Sequence, residues 1–121
     1  MNIRLKRAYE PADGHRVLID RLWPRGVSRE QARLDAWEKD LAPSPELRRW
    51  FTHEPSRFPE FRRRDAAELR SQSPRLAALR RWARDGTLTL VYAARDPEHS
   101  GAVVLAEVLR GGRPRSDRDA G

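Results

Sequence analysis

From its first residues the chain alternates, with Ile3 and Leu5 set between Arg4 and Lys6, a period of two that predicts a half-exposed strand at a sheet edge. Pro11 and the pair Asp13-Gly14 then break the chain into a turn. Val17-Leu18-Ile19 is a short unbroken apolar run, the pattern of a strand covered on both faces. It stops at Asp20, and Arg21-Leu22-Trp23-Pro24-Arg25-Gly26 reads as an ordered loop, because Pro24 holds Trp23 extended and Gly26 lets the backbone turn. Ser28 followed three residues later by Gln31 predicts a capping box and a short helix. The stretch from Leu34 to Leu41, which carries Trp37, reads as helical. Ser44-Pro45 is a stronger start signal, a hydroxyl N-cap before a proline in the first turn, and predicts a brief helix ending by His53-Glu54-Pro55.

Ser56 is expected to cap the next helix, which places Phe58, Phe61, Asp65 and Leu69 on one side at helical spacing. Ser73-Pro74 repeats the start signal, with Leu76, Leu79 and Ala83 turned inward and Gly86 at the C′ position. Leu88, Leu90, Val91 and Tyr92 predict a second strong strand. Beyond the loop from Ala94 to Glu98, a last helix carries Ala102, Val103, Ala106 and Leu109 inward. From Gly111 the tail has no apolar residue except alanine, which predicts a disordered segment over 111–121 after a single domain over 1–110. The expected architecture is α/β, a small mixed or largely parallel sheet with packed helices.

Composition narrows the chemistry. The 121 residues fit one compact domain, and the absence of cysteine removes disulfides, thiolate metal sites and cysteine nucleophiles. The amino end is charged rather than apolar, and no apolar run nears the roughly 20 residues of a membrane span, so a cytoplasmic protein without membrane contact is expected. The formal charge is +7, and every basic residue except Lys6 and Lys39 is an arginine. Between Arg57 and Arg84 nine arginines stand against Glu60, Asp65 and Glu68. That segment supports an alternative reading as a nucleic-acid-binding module. A protein–protein adaptor is a third reading, with Trp50-Phe51 or Trp82 turned outward; the oligomeric state is left open.

In open α/β sheets ligands collect beyond the carboxyl ends of neighbouring strands. Two loops leave such ends here, one after Ile19 and one after Tyr92. The first supplies Asp20, Arg21, Trp23 and Arg25; the second supplies Arg95, Asp96 and Glu98, then His99 and Ser100 at the opening of the last helix. Guanidiniums converging on a helix amino end suit a phosphate or carboxylate, so a pocket for a small anionic ligand is the leading reading. Arg48 and His53 are rim candidates. His99 is the candidate general acid–base, since imidazole titrates near neutrality, and Asp20 is a second candidate catalytic residue. Hydrolysis or transfer on a small anionic substrate would follow if there is turnover. Each residue also has a structural reading: Asp20 as a loop cap or the partner of a buried arginine, Arg21 and Arg25 as braces of the Trp23-Pro24 turn, His53 as a helix terminator, His99 as a structural hydrogen-bonding group, and the four tryptophans as packing. No metal-ligand spacing, phosphate-binding glycine loop or nucleophile elbow occurs, and no cofactor is expected.

The blocks Arg16-Val-Leu-Ile-Asp-Arg-Leu-Trp-Pro-Arg-Gly26, Ala42-Pro-Ser-Pro-Glu-Leu-Arg-Arg-Trp-Phe-Thr-His53 and Leu90-Val-Tyr-Ala-Ala-Arg-Asp-Pro-Glu-His99 resemble the YeaO-like branch of the uncharacterised family known as domain of unknown function 488. The likeness runs from about Ile3 to Leu109 and implies a small cytoplasmic α/β protein, with no established activity. Longer relatives in that family carry a Cys-His-Arg element where this chain has Ser100, Gly101 and Ala102. The resemblance therefore brings no nucleophile to this chain.

Overall fold

The computed structural model describes residues 1–8, 10, 13–94, 96 and 98–111. Four strands form one sheet: β1 (Asn2–Arg7), β2 (His15–Leu18), β3 (Ala36–Trp37) and β4 (Thr87–Tyr92), in the order β1-β4-β2-β3. Every pairing is parallel, with Ile3 opposite Leu88 on one side of β4 and Val17 opposite Leu90 on the other. β1 lies at the edge, as its alternation predicts, and β4 is central. Leu88, Leu90 and Val91 are accordingly apolar on both faces and fully buried.

One face of the sheet carries the main core. Ile3, Val17, Ile19, Leu90 and Tyr92 pack there against α2 (Pro45–Phe51), α3 (Phe58–Arg70), α4 (Ser73–Asp85) and α5 (Gly101–Leu109). α5 is buried on most of its circumference through Ala102, Val104, Leu105, Ala106, Val108 and Leu109. The opposite face is covered more thinly. Ala8, Leu18 and Val91 meet Trp23, Val27, Leu34 and Trp37, brought over by the loop after β2 and by α1 (Arg29–Ala32). Arg16 also lies buried in this layer, its Nε donating to the Ala32 carbonyl at 2.9 Å. Among the described residues no helix is long and apolar enough to cross a membrane.

Local signals explain most boundaries. The Ser28–Gln31 capping box forms in both directions, and Ser44 accepts the Leu47 N–H with Pro45 in the first turn of α2. Glu68 reaches from α3 to both the N–H and the hydroxyl of Ser44, at 2.8 and 2.6 Å, and so ties that cap to the helix layer. Five expectations are corrected. Ser73 does not cap α4 but is its first residue, after Gln72, whose side chain makes no cap bond. The Leu34–Leu41 stretch is not a helix but the short strand β3 and a 3-10 turn over Lys39–Leu41, because Trp37 pairs beside Leu18 and its indole N–H is taken by the Asp20 carbonyl at 2.7 Å. Ser56 does not cap α3; Pro55–Arg57 make a 3-10 turn that runs straight into it. Gly86 follows α4 in an extended conformation, not the left-handed one, since the chain passes directly into β4. Val104 and Leu105 join the buried face of α5, where Val103 is only half buried. The tail expectation over 111–121 lies outside the described residues beyond Gly111.

Candidate functional site

The two loops predicted to supply ligand groups leave adjacent parallel strands. Ile19 N–H donates to the Val91 carbonyl at 3.1 Å, and the Asp20 carboxylate accepts the Ala93 N–H at 2.8 Å, so the two exits are tied to one another. Around them opens a cavity of about 700 Å³ at the carboxyl end of the sheet. Ile19, Leu41, Phe51, Phe61 and Tyr92 give it an apolar floor. Its polar wall gathers Asp20, Arg21, Arg25, Arg48, His53, Asp96, His99 and Ser100, with Trp23 beside them. Of the residues that the sequence assigned to the two loops, Glu98 is exposed and does not line the cavity, and Arg95 lies outside the described residues.

Each polar group is positioned differently. Asp20 is partly buried, and that burial raises its pKa above the usual carboxylate range, opposed by the Ala93 N–H and by the nearby Arg48 charge. Arg21 does not brace the Trp23-Pro24 turn. It crosses to the loop before α2, where a terminal guanidinium nitrogen donates to the Pro43 carbonyl at 3.4 Å while its buried Nε has no partner. The turn is instead closed by the Trp23 indole N–H, which donates to the Val27 carbonyl at 2.7 Å. Arg48 and His53 come from α2 and the residues just beyond it. Thr52 and His53 both take left-handed backbone angles, which swing the imidazole back beside Phe51.

On the β4 side, Asp96 organises the entry to α5. One carboxylate oxygen accepts the N–H groups of Glu98 and His99, and the other binds His99 Nδ1 at 2.7 Å. The imidazole and these N–H groups hold the Asp96 carboxyl below its ordinary pKa. The His99 and Phe58 rings pack nearly perpendicular with centroids 5.0 Å apart. Ser100 follows at the N-cap of α5, but its hydroxyl caps nothing: Oγ is buried, the residue is 5% exposed, and no protein group bonds it. A Cβ on Gly101 would stand 3.2 Å from the Pro43 ring, so the amino end of α5 approaches the Pro43 loop closely because this residue has no side chain.

Three features go beyond the sequence reading, which placed Asp65 on the inner side of its helix but not its lack of partners. The apolar floor draws on Phe51 and Phe61 from different helices, which no local pattern links. Asp65, buried on α3 with both carboxylate oxygens unpartnered, lies under Gly101: its Oδ2 would stand 3.7 Å from a Cβ there. Arg16 precedes the apolar run of β2, and nothing in its surroundings in sequence marks it as buried. Away from the cavity, Trp82 is half exposed and stacked on His15 at 3.6 Å, at the opposite end of the sheet.

The chain is 46% identical over 112 residues to the uncharacterised protein Rv3073c of Mycobacterium tuberculosis (strain ATCC 25618 / H37Rv), covering 90% of this chain and 94% of that one. It is 42% identical over 113 residues to the uncharacterised protein YeaO of Escherichia coli (strain K12), covering 91% and 98% respectively. No solved structure matches it. The family model that fits residues 2–121 is described as the inactive DUF488-N3 subclade, and with the identities to YeaO and Rv3073c over nearly their full lengths the chain belongs to that family.

Proposed function

We propose that this protein binds a small anionic ligand, phosphate or carboxylate, in the cavity between the β2 and β4 exits, and that binding rather than turnover is its role. The observation that carries this reading is Ser100. Its hydroxyl is buried, has no protein partner and lines the cavity at the amino end of a nine-residue helix. The first N–H groups of such a helix have no partner within it, and they favour negative charge. Arg21, Arg25 and Arg48 bring guanidiniums to the same space, and the buried Nε of Arg21 has an unused donor. The Asp96–His99 pair resembles an oriented acid–base dyad, but among the described residues no metal-ligand cluster accompanies it and no base is hydrogen-bonded to the Ser100 hydroxyl. The family description as inactive agrees with a binding role.

The basic helices support a nucleic-acid surface less well. Arg62 pairs with Glu107, Arg63 and Arg64 with Glu60, and Arg75 with Glu38 and Asp40. Arg80 is spent on the carbonyls of Val108 and Leu109. Arg62 and Arg80 tie α3 and α4 to α5, Arg63 and Arg64 pair within α3, and phosphates would have to displace these partners.

Thermal unfolding in phosphate tests the reading. Ligand at about 100 times its Kd adds about 2.7 kcal/mol to stability, a rise in Tm of about 10 °C for a chain this size. The rise is expected to vanish in the Arg21→Ala, Arg48→Ala double variant and to shrink in Ser100→Ala. An equal rise in chloride at matched ionic strength, or an unchanged rise in the double variant, would contradict it.

A further inference from the structure

The cavity that we read as an anion site also contains a carboxylate, and only one of its oxygens is used in tying the two strand exits together. Asp20 is fixed in the wall by a single bond from Ala93 N–H to Oδ2, and neither the Arg21 nor the Arg48 guanidinium forms an ion pair with it. Its second oxygen has no hydrogen-bond partner among the described residues, on a residue that lines the cavity. A bare anion at Ser100 and the start of α5 would share the cavity with this carboxylate, and the partial burial of Asp20 strengthens their repulsion. A ligand that presents a hydrogen-bond donor would satisfy the second oxygen. The floor made by Ile19, Leu41, Phe51, Phe61 and Tyr92 requires in addition that the part between the two ends be apolar.

Resting on the anion-binding reading, we infer that the ligand is a small amphiphilic acid: an anionic head for Ser100, the α5 amino end and the arginines, an apolar or aromatic body, and a hydroxyl or ammonium donor received by Asp20. Hydroxy acids and amino acids with apolar side chains both have this chemistry. They differ in the donor alone.

Three probes that share an aromatic body and a carboxylate separate the terms: 3-phenylpropionate has no donor, 3-phenyllactate adds a hydroxyl, and phenylalanine adds an ammonium. Binding to the full chain is read by titration calorimetry, with inorganic phosphate as the reference anion. At least one donor-bearing probe is expected to bind about tenfold or more tightly than phenylpropionate, the worth of one hydrogen bond to a charged group. Which of the two does so identifies the donor. Asp20→Asn keeps an oxygen for Ala93 N–H but turns an amide donor to the cavity, and Asp20→Ala removes the group. An ammonium preference should disappear in both variants, and a hydroxyl preference in Asp20→Ala. The inference is overturned if phenylpropionate binds wild type as tightly as both other probes, or if the preference survives in Asp20→Ala. Those results leave phosphate binding in place; loss of phosphate binding as well as of all three probes would instead overturn the anion site itself.

Discussion

Asp65→Asn is expected to stabilise the protein at pH 8 by several kcal/mol relative to wild type, and to match it near pH 4. Asp65 is 1% exposed on the inner face of α3, and neither carboxylate oxygen has a hydrogen-bond partner. Burial without compensation, reinforced by the neighbouring Glu68 charge, pushes its pKa up to about 8. In the unfolded chain the group ionises at its ordinary value of 3.8. Between these two values the unfolded state has lost its proton while the native state keeps it. Native stability from this group is therefore complete below the unfolded pKa and declines as pH rises, by about 1.4 kcal/mol per pH unit. It levels off only above the folded value. The total is on the order of 5 kcal/mol, a large share of a small domain's stability. Asparagine preserves shape but cannot ionise, so the variant escapes the decline. Urea unfolding of both proteins from pH 4 to pH 8.5 measures the difference, and parallel curves would refute the assignment of a neutral buried Asp65.

The second large effect is expected at Gly14. Its φ is +63°, a left-handed angle that costs an L-residue about 1–2 kcal/mol. A Cβ there would also stand 2.6 Å from the Thr87 carbonyl oxygen, at the start of the central strand. Gly26 supplies an internal control, since its φ is +78° but nothing lies within 4 Å of its Cβ position. Gly26→Ala should cost only the backbone term. Gly14→Ala should cost more, about 3 kcal/mol or greater, because either β4 or the turn into β2 must shift. Equal midpoints for the two variants in denaturant would show that the Gly14 turn yields freely and that the close approach to Thr87 carries no energy.

These residues mark how far the sequence could be read. Ser28-x-x-Gln31 and Ser44-Pro45 announce their helices because a cap is a local bond between residues three apart. The edge alternation of β1 and the continuous apolar run of β4 report their own burial for the same local reason. Trp37 deceives, since its placement is settled by Leu18 and by the Asp20 carbonyl, both far away in sequence. Asp65 stands at a position in the helical stripe that an apolar residue would fill, and a lone charge there can be either a break in the pattern or a buried acid; only the packing of α3 under α5 decides. For the site, both loops and most of the polar residues were legible from chemistry and from the rule that ligands gather at strand ends. Their convergence was not, because it depends on β2 and β4 being neighbours. The apolar floor was invisible for a similar reason, being assembled from α2, α3 and two strand ends.

A crystal soaked in selenate offers the most direct check, since selenium scatters anomalously and stands in for a tetrahedral anion. The expected result is an anomalous peak in the cavity, within hydrogen-bond reach of Ser100 Oγ, of the N–H groups that open α5, and of Arg21 or Arg48. Selenate found only on the outer arginines of α3 and α4, with no peak between the two loops at full soaking concentration, would contradict an anion site there.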